Sequence, residues 1–334
     1  MIIIERVLSG LIVGLIFGFL LQRGRFCFNS AFRDIILFKD TMIVKAIWVA
    51  VAIEMVGFAL LTDLGVIFPY PRGFYWGANM LGGFVFGVGM VIAGGCISGA
   101  TYRAGEGMVG SMLALVGIAV GGSITIGYWL APFKDQLQAA TKIELLGQAP
   151  TIPALLGINH WLIIAPVAVV SLFLALKVYR RTGPTRVALL GAGWPWWLSG
   201  ISVGLVTTMS YPAVEMVGGT YPLGMTGGYI GLLAAIVNFD TRYVGWEVAM
   251  VVAAIIGSGI AAVLAREWRI RVPRRRLLAQ SLLGGAVMGV GAVVGDGCNI
   301  ATILVGIPLL SIGSMTAALF TVLGCWTTAY LMFR

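Results

Sequence analysis

Charge is scarce in this chain: 10% of its 334 residues are Asp, Glu, Lys or Arg, where soluble domains carry roughly a quarter. That shortage argues against a water-soluble fold, and the matching excess, 59% hydrophobic residues with a mean hydropathy of +0.98, places the chain in lipid. Histidine is almost missing. With His160 alone, a His-based metal or haem site lacks ligands, and His160 reads as an interfacial residue beside Trp161. Cysteines are few, and Cys27, Cys96, Cys298 and Cys325 include no CxxC pair, which excludes a disulfide framework and a zinc knuckle. No cofactor is expected. No glycine-rich run, that at 105–110 included, ends in the Lys-Ser/Thr of a nucleotide-binding loop, so ATP hydrolysis by this chain is not expected. No small-x-small cleavage site follows the first apolar stretch, so a removed signal peptide is not expected either.

What the chain has is apolar runs along its whole length, with polar stretches too short for a second domain; residues 1–334 read as one membrane domain. Five runs, 42–61, 108–130, 161–178, 246–264 and 309–331, are uninterrupted helix candidates. Four more are broken: at Gln22-Arg23-Gly24-Arg25, at Gly94-Gly95, at Tyr211-Pro212 and at Gly295-Asp296-Gly297. Each broken pair is short for two spans and reads as one crossing built of two half-helices, giving an all-α polytopic protein of about nine crossings. Free backbone groups in hydrocarbon must be buried or face a wet cavity, so four breaks imply a shared interior.

The net charge of +9 is carried by loops. Lys177, Arg180, Arg181 and Arg186 form one basic cluster, and Arg266, Arg269, Arg271, Arg274, Arg275 and Arg276 another; both belong on the cytoplasmic side. Counting crossings from either cluster puts the N-terminus outside and the C-terminus in the cytoplasm. This distribution marks topology, so nucleic acid is not an expected partner.

The order broken, long, broken, long occurs twice, on either side of the lone run 161–178. Leu8-Ser9-Gly10-Leu11 with Gly14 resembles Leu198-Ser199-Gly200-Ile201 with Gly204, and Gly87-Val88-Gly89 resembles Gly289-Val290-Gly291, at offsets of 190 and 202. Residues 1–131 and 187–334 therefore read as two inverted halves, joined by an outer loop and connecting helix at 132–186. Gly10, Gly14 and Gly18 read as close helix packing.

Cys27, Cys96 and Cys298 sit at breaks, in Arg25-Phe26-Cys27-Phe28-Asn29, Gly95-Cys96-Ile97-Ser98-Gly99 and Gly297-Cys298-Asn299-Ile300. Each is expected in the first turn of the next helix, where unpaired N–H groups and the dipole favour an anion. Thiols add soft contacts suited to sulfur, so the solute reads as a small sulfur-containing anion, bound by Cys27, Cys96 and Cys298 with Gly95 and Gly297, and supported by Asn29, Ser98 and Asn299. Cys325 lies inside an unbroken run and reads as packing. The break at Tyr211-Pro212 lacks a cysteine; the residue 190 positions after Cys27 is Val217. Glu54, Glu215 and Asp296 read as capping or paired carboxylates, with proton coupling as the alternative.

The breaks Gly94-Gly95-Cys96-Ile97-Ser98-Gly99 and Gly295-Asp296-Gly297-Cys298-Asn299 resemble those of the YeeE/YedE sulfur-transport family. The resemblance implies a bacterial inner-membrane protein of hourglass shape that takes up thiosulfate, with Cys27, Cys96 and Cys298 passing the ion along by S–H···S hydrogen bonds. It also implies a small cytoplasmic sulfur-carrier protein of the TusA type as partner, and leaves open other sulfur or selenium species. A membrane thiol oxidoreductase or sulfurtransferase forming persulfides is the alternative from the enzyme class; it calls for a pair of neighbouring thiols, and none is visible in the sequence. A soft-metal transporter is disfavoured by the single histidine and by scattered methionines.

Overall fold

The computed structural model describes residues 2–145, 147–182, 193–219 and 221–333. Arg186 and the expected boundary at 186/187 lie outside them. Fourteen α-helices follow one another: α1 (Ile2–Arg23), α2 (Phe28–Phe38), α3 (Met42–Asp63), α4 (Trp76–Ile92), α5 (Ile97–Gly105), α6 (Val109–Gly127), α7 (Ala131–Thr141), α8 (Ile152–Leu156), α9 (Trp161–Thr182), α10 (Trp196–Glu215), α11 (Met225–Asn238), α12 (Trp246–Leu264), α13 (Arg275–Val294) and α14 (Ile312–Phe333), with a π-helix (Ile300–Gly306) before the last. Eight helical stretches are long and apolar enough to cross a membrane. The ninth expected crossing is the α10/α11 pair, whose α10 has 20 residues, about 30 Å of helix, but carries several hydroxyl side chains. α9 packs on α3, where Trp48 Nε1 donates to Ser171 Oγ at 2.9 Å, and its other side leaves Leu162, Val169, Leu172 and Phe173 exposed, as contact with lipid requires.

All four breaks are made the same way. A residue in the left-handed region, Arg25, Gly94, Gly218 or Asp296, ends the preceding helix. The next residue then donates its N–H to a carbonyl five positions back: Phe26 to Leu21 (3.0 Å), Gly95 to Met90 (3.0 Å), Gly219 to Val214 (2.9 Å) and Gly297 to Ala292 (2.7 Å). This is the hydrogen bond of a Schellman stop, and it satisfies carbonyls that lipid could not. It also corrects two expectations. The third break lies beyond Glu215, because α10 continues through Pro212, where the helix loses one backbone bond and no more. The equivalent of the cysteines, counted two residues past the left-handed position, is Thr220 rather than Val217, and Thr220 lies outside the described residues.

The pieces on either side of a break are unequal, not halves. α1, α4, α10 and α13 have 22, 17, 20 and 20 residues, while α2, α5, α11 and the π-helix that follow them have 11, 9, 14 and 7. Each long piece runs beside an unbroken helix: Gly10 abuts Trp246, Gly14 Met250 and Gly18 Ala254, numbers rising together, so α1 lies parallel to α12. By the same reasoning α10 lies parallel to α3 (Gly200 on Ala46, Gly204 on Ala50), α13 to α6 (Gly285 on Ala114, Gly289 on Ile118) and α4 to α14 (Gly83 on Ala317, Gly87 on Thr321).

These pairings map onto one another when the halves are exchanged. The central pair, α4 and α13, are counterparts by the offset of 202, yet Gly82 abuts Gly291 and Gly89 abuts Gly284, so they run antiparallel. Counterparts that oppose one another are what an inverted repeat requires. The glycines read as packing residues do pack: a Cβ on Gly10 would stand 2.6 Å from Trp246 O, and one on Gly200 2.6 Å from Ala46 O.

Candidate functional site

The sequence places Cys27 and Cys96 69 residues apart, and the fold brings their sulfurs to 3.6 Å. Cys27 is the N-cap of α2 and Cys96 that of α5. This corrects the expectation of no neighbouring thiols: the pair is made by two break loops meeting, which no local motif reports. Around Cys96 the hydrogen bonds are directional. Phe28 N (3.2 Å) and Gly99 N (3.4 Å) donate to its sulfur, and Ser98 Oγ, 3.1 Å away, gives its own proton to Phe26 O. That leaves Cys96 to donate to Ser98 and to receive from Cys27. Both thiols are free and fully buried.

Gly99 is required here, since a Cβ would stand 2.5 Å from Cys27 Sγ and 3.7 Å from Cys96 Sγ. At Gly95 the space a side chain would fill is taken by Arg103, whose Nη1 donates to Gly94 O at 2.7 Å. A cation is thus fixed on the break that carries Cys96.

Cys298 belongs to a different place. It lines a cavity of about 380 Å³ together with Arg72, Lys134, Gln138, Glu247, Asp296 and Gly297. Arg72 Nη1 donates to Asp296 O (2.6 Å) and pairs with Asp296 Oδ1 (3.2 Å), while its guanidinium lies 4.0 Å over the Tyr221 ring. Asp296 is therefore a paired carboxylate, as expected, and its charge is offset within the cavity wall. Among the described residues Arg72 Nε has no hydrogen-bond partner. Gly297 has φ +156°, a backbone region that glycine favours and that turns Cys298 back toward the wall.

Beside the thiols lie buried amides without full hydrogen bonding. Asn29 Nδ2 and both polar atoms of the Asn299 side chain have no partner, although Asn29 Oδ1 receives the Cys325 thiol at 3.8 Å. Cys325 sits against Asn29 within α14, consistent with packing. Glu215 accepts from Phe68 N at 2.7 Å and caps the outer loop, again as expected. Glu54 departs from expectation: it is fully buried, and among the described residues neither carboxylate oxygen has a hydrogen-bond partner.

Three contributors escaped the sequence reading. Arg72 lies in the near-neutral loop 63–77, where a single cation gives no signal. Glu247 sits at the start of an unbroken run, yet its carboxylate is packed onto Gly224 and Gly227 at the beginning of α11, so the break between α10 and α11 carries an acid near its helix start. The glycines at 224, 227 and 228 were the only available hint. Glu267, hidden among the arginines of the second basic cluster, binds Arg23 Nη2 (2.8 Å) and Arg25 Nη2 (3.0 Å), while Glu106 takes Arg25 Nη1 (3.1 Å) and Gln22 bridges both acids.

This network ties the first break to the loop after α12. Burial pushes the Glu267 carboxyl up, but Gln22, Arg25 and Arg23 outweigh it and hold it below the usual carboxylate value. A depressed folded value stabilises above the unfolded one, about 4.3 for Glu, and that stabilisation is lost as pH falls through the folded value. The melting temperature of detergent-solubilised protein is expected to drop on acidification below about pH 4. Glu267→Gln should melt lower at neutral pH and show a flatter acid limb; an unchanged limb would show that the network is without consequence.

Among the described residues, no group of three or more His, Cys, Asp or Glu side chains is placed to hold a metal. Comparison with known proteins gives a consistent picture. The family model described as sulphur transport matches residues 23–327. The thiosulfate transporter TsuA of Spirochaeta thermophila is 37% identical over 335 aligned positions, covering 98% of this chain and 99% of that protein. The thiosulfate transporter TsuA of Escherichia coli is 32% identical over 334, covering 98% and 95%.

Proposed function

We propose, from the premise that the chain belongs to the sulphur-transport family, that it carries thiosulfate into the cell across the bacterial inner membrane, past thiols held at helix breaks. The N-terminus then lies outside and the C-terminus in the cytoplasm, since the basic loop 265–276 and the Arg23, Arg25 and Glu267 network share one end of the molecule. Residues 1–131 and 187–334 form the two opposed halves around the path.

The observation that carries this reading is the pair of buried thiols 3.6 Å apart, with a third thiol in the wall of a separate cavity. Arg72 and Lys134 give the outer cavity its positive groups, and Cys298 offers a sulfur contact there. The ion then meets Cys27 and Cys96, where a soft terminal sulfur can replace one partner of the existing S–H···S bond without charge transfer. Gly95 and Gly297 shape the breaks, and Asn29, Ser98 and Asn299 supply polar groups beside the thiols. A TusA-type carrier collects sulfur at the cytoplasmic face, and lipid covers the exposed side of α9.

The thiol pair also favours one second reading. A Cys27 or Cys96 thiolate could attack the terminal sulfur, forming a cysteine persulfide and releasing sulfite, and the neighbouring thiolate could then attack the cysteine sulfur, releasing hydrosulfide and leaving a Cys27–Cys96 disulfide for a cytoplasmic thiol reductant to reopen. Uptake of radiolabelled thiosulfate into proteoliposomes, with sulfate as competitor, separates the readings when combined with mass spectrometry of the protein. Transport predicts accumulation of intact thiosulfate, weak competition by sulfate, and no added sulfur on any cysteine. A persulfide on Cys27 or Cys96 with free sulfite would overturn it in favour of the enzyme.

A further inference from the structure

Glu54 lies midway along α3, on the face that meets α10 and the π-helix: Ala50, one turn before it, abuts Gly204, and Phe58, one turn after, packs with Tyr211 and Val305. It is fully buried. Thr207 is the hydroxyl that approaches it, but that hydroxyl donates to Val203 O at 2.9 Å. Thr208 and Ser210 likewise donate to Gly204 O and Thr207 O. Among the described residues no ion pair reaches Glu54. Among the described side chains, the other ionisable groups on elements packed against α3 are Tyr211 and Glu215 of α10, Arg33 and Asp34 of α2, which pair at 2.8 Å, and Lys177 and Arg180, exposed at the end of α9; the π-helix has none, and α3 itself carries Lys45 and Asp63 near its two ends. An ionised carboxylate here would be an uncompensated charge in low dielectric, so the group is held as the neutral acid in this conformation.

The repeat shows that packing does not demand this acid. Ala46 and Ala50 correspond to Trp246 and Met250 through their glycine partners, which makes Ala254 the counterpart of Glu54. There the other half places alanine against Gly18. A carboxyl kept at one of two equivalent positions, at an energetic cost in the membrane, is a mark of function.

Thiosulfate is a dianion, and its entry works against an inside-negative potential. Resting on the thiosulfate reading, we propose that uptake is coupled to proton entry, with Glu54 as the group that binds the proton at the outer side and releases it at the inner side. The carboxyl O–H forms as the outward-facing protein loads thiosulfate and breaks when α3 and α10 separate enough to admit water from the cytoplasm. The π-helix, which follows Cys298 directly and packs on α3, links occupancy of the thiol site to the surroundings of Glu54.

The test uses the full chain in proteoliposomes holding a trapped pH dye, with thiosulfate as the probe. An inward proton gradient should raise accumulation by about tenfold per pH unit for each proton carried, and added thiosulfate should acidify the lumen. Glu54→Gln should abolish both responses while retaining exchange of labelled for unlabelled thiosulfate. If wild-type vesicles accumulate thiosulfate without acidification or gradient dependence, coupling is overturned and transport stands. No uptake under any condition overturns the transport reading instead. Should Glu54→Gln fail to fold, the wild-type proton flux decides the matter, with Glu54→Asp as the second variant; Glu54→Gln vesicles that keep the gradient response would exclude Glu54.

Discussion

Cys27→Ala and Cys96→Ala should each lower thiosulfate uptake by at least about a hundredfold, a loss near 2.7 kcal/mol in the barrier, while the protein stays folded and monodisperse. The two parts of that expectation have separate grounds. Removing a buried sulfur leaves a small cavity and costs about 1 kcal/mol of stability, which a large helical membrane protein tolerates. Transport loses more, because each thiol is a partner to the other at 3.6 Å and the remaining one has no soft neighbour to share the ion with. Serine separates contact from chemistry. Its hydroxyl keeps a donor at nearly the same place but is smaller and harder, so a hydrogen-bond relay should retain measurable uptake with Cys27→Ser, whereas persulfide formation would vanish. Gly99→Ala should act like a cysteine variant without touching sulfur, since its Cβ would press on Cys27 Sγ and part the pair. Cys325→Ala, removing a thiol held only by Asn29, should change uptake little. Equal uptake by all these variants and the wild type would remove the thiols from the pathway.

Much of this architecture is legible in the sequence because the membrane enforces simple rules. Length and apolarity report crossings. Breaks at Gly94-Gly95 and Gly295-Asp296-Gly297 are legible because a cysteine and polar residues follow the glycines at matching places in the two halves. The break after α10 was misplaced: Pro212 is the loudest local signal, yet the helix absorbs it, and the true stop is set by Gly218 in the left-handed region. Each broken run does hold two helices, but the break falls near one end of it, so that α1 runs alongside α12 and the shorter α2 follows the break. The thiol pair was out of reach altogether. Its formation depends on two loops meeting, and neither Cys27 nor Cys96 carries any local trace of the other. Arg72, Glu247 and Glu267 escaped for the same reason, each being an ordinary residue until its partner arrives.

Gly14→Ala and Gly18→Ala should destabilise the protein by roughly 3 kcal/mol or more each, against the direction that helix propensity predicts. In an exposed helix interior, alanine is better than glycine by about 1 kcal/mol, so the sign of the change is itself the measurement. At Gly14 the new methyl would meet Met250 O and stand 2.8 Å from Ala253 Cβ; at Gly18 it would meet the Ala254 backbone. Backbone on a neighbouring helix cannot rotate aside, so α1 must shift away from α12 over several turns. That shift carries Arg23 and Arg25 with it and separates them from Glu267, opening the ion network beside Cys27. Uptake should therefore fall along with thermal stability in detergent. The repeat makes the expectation quantitative in order: Gly204→Ala, the counterpart of Gly14→Ala, meets Ala50 O at 2.9 Å and Ile53 Cβ at 3.1 Å, a looser fit, and should cost less. Gly127→Ala, with no atom within 4 Å of its added methyl, should be neutral or stabilising. If Gly18→Ala melted above the wild type, the parallel α1/α12 contact could not be the close one described, and the positioning of the thiol-bearing break by that contact would fall with it.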